Sequence, residues 1–187
     1  MEILNESRRI SVDDKWIEHS ICVGNSAAKI AENLKLDTEE AMTLGFAHDI
    51  GKRFVDLKNH DINGYNYLKE LGYDEEYANI CLTHSYLNND VYCTAGGVPE
   101  DIPIRTEFIK NHEYTIYEKI INLCDLMCTN VNMTLEKRLI DIMIRRGVHE
   151  NTVYHITEAQ KLKKEIDDML GFNTYNLFNN VLDSWSF

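Results

Sequence analysis

The sequence predicts an all-α protein, a helical bundle, on three observations. Apolar residues recur three or four apart along nearly the whole chain, which is the spacing of a buried helix face. Only two prolines, Pro99 and Pro103, occur in 187 residues, so few helices are interrupted by a missing N–H donor. No alternating, β-branched run of strand length is found. A chain of this size can bury a core without disulfide staples. It reads as one helical domain over 1–187, with a core at about 15–129 and a helical extension over 130–187.

The helices can be placed in order. Trp16, His19, Val23, Ala27, Ile30 and Leu34 share one face of a first long helix. Asp37, followed by Glu40, predicts a capping box opening a second helix. Its inner face carries Ala41, Leu44, Gly45 and His48, and Gly51 is placed to stop it. His60 to Leu71 reads as a third helix closed by Gly72, and Asp74 caps a fourth with Tyr77, Ile80, Cys81 and His84 inward. Ser85 to Tyr114, with Gly96, Gly97 and both prolines, is the least regular stretch, and a connection this long is usually functional or partly structured by itself. Helical spacing resumes over Thr115 to Thr129, Thr134 to Arg146 and Thr152 to Leu170, the last two closed by Gly147 and Gly171. A short apolar helix over Tyr175 to Leu182 is expected to finish the chain.

Composition excludes several functions. A formal charge of -12 argues against gripping nucleic acid through its phosphates. No basic amphipathic stretch suits a membrane surface, and no apolar run approaches a span. Five cysteines, an odd number without a Cys-x-x-Cys pair, suit reduced thiols, and the polar residues Met1 to Ile10 are no signal peptide. A cytoplasmic protein is expected. An acidic protein can still take a small anion if local groups or bound cations supply positive potential.

Potential metal ligands stand on or beside otherwise apolar faces: His19 on the first helix, His48 and Asp49 on the second, His84 on the fourth and Asp125 on the fifth. Ile121 and Cys128 flank Asp125 one turn away, so its carboxylate points inward and needs a partner, whether a metal, an arginine or a helix N-terminus. Each residue alone has a plainer reading. A single histidine on an apolar face is more often a hydrogen-bonded core residue, and a lone aspartate is often a salt-bridge partner. The coincidence of five in separate segments changes that balance.

The segment Gly45-Phe46-Ala47-His48-Asp49-Ile50-Gly51-Lys52, with His19 before it and Asp125 after it, resembles the central motif and spacing of the HD superfamily. His60, followed by Gly64, and His84 match the places where some members carry ligands for a second metal. The resemblance covers about Lys15 to Thr129. It implies a metal-dependent phosphohydrolase in which His19, His48, Asp49 and Asp125 hold one ion and Asp49 bridges to another held by His60 and His84. Ligands of this kind suit Fe, Mn, Co, Ni or Zn. The implied reaction is attack on phosphorus by metal-bound hydroxide. Asp49 and Lys52 are then the catalytic candidates, with Lys52 and Arg105 as substrate contacts. The plainer readings are a solvated lysine near a helix end and a solvated loop arginine, and Arg53 and Lys58 share the ambiguity of Lys52.

The substrate class implied is a small phosphorylated molecule, a nucleotide or related phosphoester. Size and ligand order are similar to the bacterial symmetrical diadenosine tetraphosphatases. The chain departs from them in the run Thr83-His84-Ser85-Tyr86-Leu87 and at Cys124, before the last aspartate. A nucleoside monophosphatase and a cyclic-nucleotide phosphodiesterase are the alternatives within the class. Outside it stand a nucleotide-binding regulatory module on the same scaffold and a structural adaptor without metal. Cys81-x-x-His84 lacks the second half of a zinc finger. Cys124 and Cys128 read as core thiols, and His112, His149 and His155 as surface or capping residues.

Overall fold

The computed structural model describes residues 1–10, 14–97, 102–179 and 181. Among these residues the regular elements are all helical, and an isolated bridge between Cys128 and Asn132 is the one sheet-like pairing. The helices are α1 (Glu2–Ile10), α2 (Lys15–Leu34), α3 (Thr38–Ala47), α4 (His60–Glu70), α5 (Glu75–Thr83), α6 (Pro103–Asn111), α7 (Ile116–Asp125), α8 (Leu135–Arg146) and α9 (Thr152–Leu170). Short 3₁₀ turns occupy Ile50–Arg53, Leu57–Asn59 and Thr174–Leu177. No helix among the described residues is long and apolar enough to cross a membrane.

The capping signals work in part as expected. Asp37 accepts from the backbone N–H groups of Glu39 and Glu40 at 2.9 and 3.0 Å. Its own N–H, however, donates to the Tyr117 hydroxyl rather than to Glu40, so the box is half closed and α3 is tied to α7. The complete capping box lies at Thr115, whose hydroxyl accepts from Glu118 N–H while the Glu118 carboxylate accepts from Thr115 N–H. Gly147 and Gly171 end α8 and α9 with positive φ, a conformation costly for other residues.

Two helices form that the periodicity did not single out, and one expected helix is replaced by a turn. Helix α1 forms over residues that read as merely polar. It buries only Leu4 and Ser7, with Ile3 half-buried against the core, too narrow a stripe to show as periodicity, and Arg8 ties it to Glu18 of α2 at 2.7 Å. The irregular stretch contains α6, opened by Pro103 in the first turn, where proline's missing N–H costs nothing. The expected C-terminal helix is a 3₁₀ turn at Thr174–Leu177. Leu182 lies outside the described residues, as does Pro99.

Packing explains why the helix ends meet. Helix α2 packs chiefly on α3 and then on α7, while α4 packs on α5 and on the turn Ile50–Arg53. A Cβ on Gly45 would lie 2.4 Å from Gly24 Cα, so α2 and α3 cross with backbones in contact. A Cβ on Gly51 would lie 1.8 Å from the His60 carbonyl oxygen and 2.6 Å from Gly64 N. Gly51 therefore does not stop α3, which ends at Ala47; it lets α4 dock directly on the turn that follows Asp49. One apolar core runs from Leu4 through α2, α3, α5 and α7 to Leu139 of α8 and Ile166 of α9.

Candidate metal centre

The predicted ligands all sit at or near helix ends that converge. His19 lies in the second turn of α2, His48 and Asp49 directly follow α3, His60 opens α4, His84 follows α5, and Asp125 closes α7. His48, Asp49 and His84 are buried. The structure thus brings together the six residues named as ligands from the sequence.

Their donor atoms form two trios around one carboxylate. His19, His48 and Asp49 offer atoms within 4.8 Å of one another, and so do Asp49, His60 and His84. Asp49 Oδ2 faces His48 Nε2 at 3.4 Å and His19 Nε2 at 3.7 Å; Oδ1 faces His84 Nε2 at 3.3 Å and His60 Nε2 at 3.5 Å. Asp125 Oδ1 stands 2.8 Å from His19 Nε2 and 3.8 Å from His48 Nε2, on the first trio's side.

Every ring is oriented by its other nitrogen. Nδ1 of His48 donates to the Gly45 carbonyl at 2.7 Å, that of His60 to Leu57 at 2.9 Å, that of His84 to Ile80 at 3.1 Å and that of His19 to Thr129 at 3.3 Å. With Nδ1 engaged, a neutral ring turns its Nε2 lone pair inward. The lone pairs then face each other and the carboxylates, an arrangement that is stable only around positive charge.

The residues fit a metal. His19 and His48 Nε2 are 3.3 Å apart, as are His60 and His84 Nε2. Two nitrogens sharing a tetrahedral ion at about 2.0–2.1 Å stand about 3.3 Å apart. Asp49 Oδ1 is buried and has no hydrogen-bond partner, although it is an ionised acceptor facing two histidines.

The charges of the site respond to one another. Burial works against a charge on Asp49, but Lys52 and His48 outweigh it and hold its carboxyl well below the usual range. Burial likewise opposes a charge on Asp125, and hydrogen bonds from His19 and His48 hold its pKa down. Burial also opposes protonation of His48, yet Asp49 and Asp125 raise its pKa to about 10. His60 is lowered to about 4, chiefly by burial. The Lys52 ammonium, paired with Asp49 Oδ2, supplies part of the positive charge the carboxylates demand.

The centre opens into a cavity of about 1140 Å³ lined by His19, Asp49, Lys52, His60, His84 and Asp125 among others. Lys52 reaches it from the turn after Asp49. Arg105 lines it too, but is no solvated loop residue: it is buried in α6 and donates to Asp61 Oδ2 at 2.9 Å. The Tyr86 hydroxyl donates to the same oxygen at 3.1 Å. Asp61 and Tyr86, adjacent to His60 and two residues past His84, were missed from the sequence, although a buried aspartate one position after a ligand is a readable signal.

One histidine is also corrected: His155 is buried and faces the cavity, because α9 packs on α7. His112 caps the end of α6 as expected, and its ring lies 2.9 Å from the buried Glu118 carboxylate. All five cysteines are free, and burial raises the thiols of Cys81, Cys124 and Cys128, which suits core packing rather than ligation. Arg138, Arg145 and Arg146 of α8 also line the cavity and were not foreseen, since their positions past Thr129 lay outside any motif.

A family model described as HD domain matches residues 16–130. No curated protein and no solved structure matches the chain.

Proposed function

Because the chain belongs to the HD domain family, we propose that it is a divalent-metal-dependent phosphohydrolase acting on a nucleotide or related phosphoester. The observation that carries this reading is Asp49, buried, with one oxygen toward each histidine pair and Oδ1 otherwise without a partner. His19, His48, Asp49 and Asp125 would hold one ion, and Asp49, His60 and His84 a second. Nitrogen and carboxylate donors suit Fe, Mn, Co, Ni or Zn. Divalent ions supply Lewis acidity toward a phosphoryl oxygen and lower the pKa of water.

The chain's own groups do the rest. Asp49 turns one oxygen to each histidine pair and would offset the charge of the ions they hold. Lys52, now paired with Asp49, stands at the cavity wall, where its ammonium can turn to a phosphate oxygen and stabilise developing charge. Arg105 and Tyr86 clamp Asp61 and so fix the start of α4, which carries His60. Arg105 then serves the substrate through that clamp and through its place in the cavity wall. Helices α8 and α9 share the core of the matched region, and we treat 130–187 as an extension of the same domain.

The test is a phosphate-release screen of the full chain with each metal across nucleoside monophosphates, cyclic nucleotides and dinucleoside polyphosphates, the symmetrical ones included. Turnover that disappears in Asp49→Ala is expected. Tight nucleotide binding without turnover under every metal would instead indicate a regulatory module.

A further inference from the structure

The cavity is charged against the grain of the molecule. Among the described residues, seven lysines and arginines line it, against four aspartates and glutamates. Two of those four are Asp49 and Asp125, which belong to the metal centre. Three of the seven cations come from one helix, α8, which starts beyond the residues that the family model matches. Cations in the last turn of a helix have an ordinary explanation in the helix dipole. That explanation covers Arg145 and Arg146 as surface groups, but not their sharing a cavity with the histidine trios.

The placement of α8 relative to the centre is fixed by side chains. Arg138 Nε donates to the Cys128 carbonyl at 3.1 Å, three residues past Asp125. Arg138 Nη1 donates to Asp141 Oδ2 at 2.6 Å. Arg145 approaches the same carboxylate with two donors, Nε at 3.0 Å and Nη2 at 2.7 Å. Two guanidinium groups on one carboxylate leave a net positive charge, held in fixed orientation, and Arg146 adds another. A single phosphate at the metal centre would leave this wall unused. The cavity, at about 1140 Å³, also exceeds the roughly 300–1,000 Å³ typical of a site for one drug-sized ligand.

We propose that the C-terminal end of α8 is a second phosphate subsite, in which Arg145 and Arg146, backed by the Arg138–Asp141 pair, hold a phosphate of the substrate remote from the one at the histidine–aspartate centre. The substrate class is then one with phosphates at separated points, a polyphosphate or dinucleotide. The inference rests on the phosphohydrolase reading for its substrate, but the subsite can be tested apart from turnover.

The test compares the wild type with Arg145→Ala/Arg146→Ala, both of which are exposed positions, with an unchanged thermal midpoint as the folding control. In excess Mn²⁺, kcat/KM is measured for p-nitrophenyl phosphate, which has one phosphate, and for diadenosine tetraphosphate. The dinucleotide value is expected to fall about tenfold or more, mainly through KM, while the monoester stays within about twofold. Lysine at both positions should restore much of the loss. Equal effects on both compounds, no effect on the dinucleotide, or wild-type turnover of the monoester alone overturns the proposal. If the wild type turns over neither, the hydrolase reading fails by itself, and equilibrium binding of the same compounds decides the subsite. About tenfold weaker dinucleotide binding in the double variant sustains it, whereas equal affinity, or no wild-type binding, overturns it.

Discussion

Asp49 is the residue on which the two histidine pairs depend, since each of its oxygens faces one of them. Asp49→Ala or His48→Ala is expected to abolish metal retention and hydrolysis, read by metal analysis of purified protein and by phosphate release. Retention of full metal content and rate by either variant would overturn the assignment. Lys52→Ala separates charge stabilisation from ligation. We expect kcat/KM to fall about 10²-fold while the metal stays bound; an unchanged efficiency would make Lys52 an ordinary surface cation. His19, His48, Asp49, His84 and Asp125 were legible in the sequence because each stands on an apolar face or at a helix end, where a polar residue needs a reason; His60 was placed only by the resemblance to the HD superfamily. Arg105 was not legible, because nothing in its neighbourhood announces Asp61 as its partner. That pair forms only once α6 packs on α5 and brings Arg105 to Asp61, residues 44 apart in the chain.

At the scale of elements, the meeting of Gly51 with Gly64 seats α4 against the turn after Asp49 and so brings His60 to its place. Gly51→Ala would drive a Cβ into the His60 carbonyl, and backbone cannot yield as a side chain can. We expect it to cost about 1–3 kcal/mol of stability and to displace His60, measured as a lower unfolding midpoint together with reduced metal content. Gly96→Ala, whose Cβ would meet, among the described residues, only the Thr94 hydroxyl at 3.6 Å, is the matched control, expected within about 0.5 kcal/mol of wild type. The long helices were readable from apolar spacing because each buries a broad face. Two short ones, α1 and α6, were not, since each buries only two residues and is held mainly by tertiary contacts.

For the molecule as a whole, a net charge of -12 sets a protein of general negative potential around a cavity that concentrates cations. Two bound ions would complete that inversion of sign. In His60→Ala/His84→Ala we expect the loss of about one ion and a large fall in rate; wild-type metal count and rate would make the centre mononuclear. The four ring Nδ1 atoms tied to backbone carbonyls bear on which ions can enter. Those bonds freeze the imidazoles before any ion arrives, so little rotamer entropy remains to be lost on loading. A cage that cannot swell also discriminates by radius. Calcium, which prefers a flexible shell of six to eight oxygen donors at about 2.3–2.6 Å, meets mostly imidazole nitrogens here and should compete poorly with the smaller transition ions.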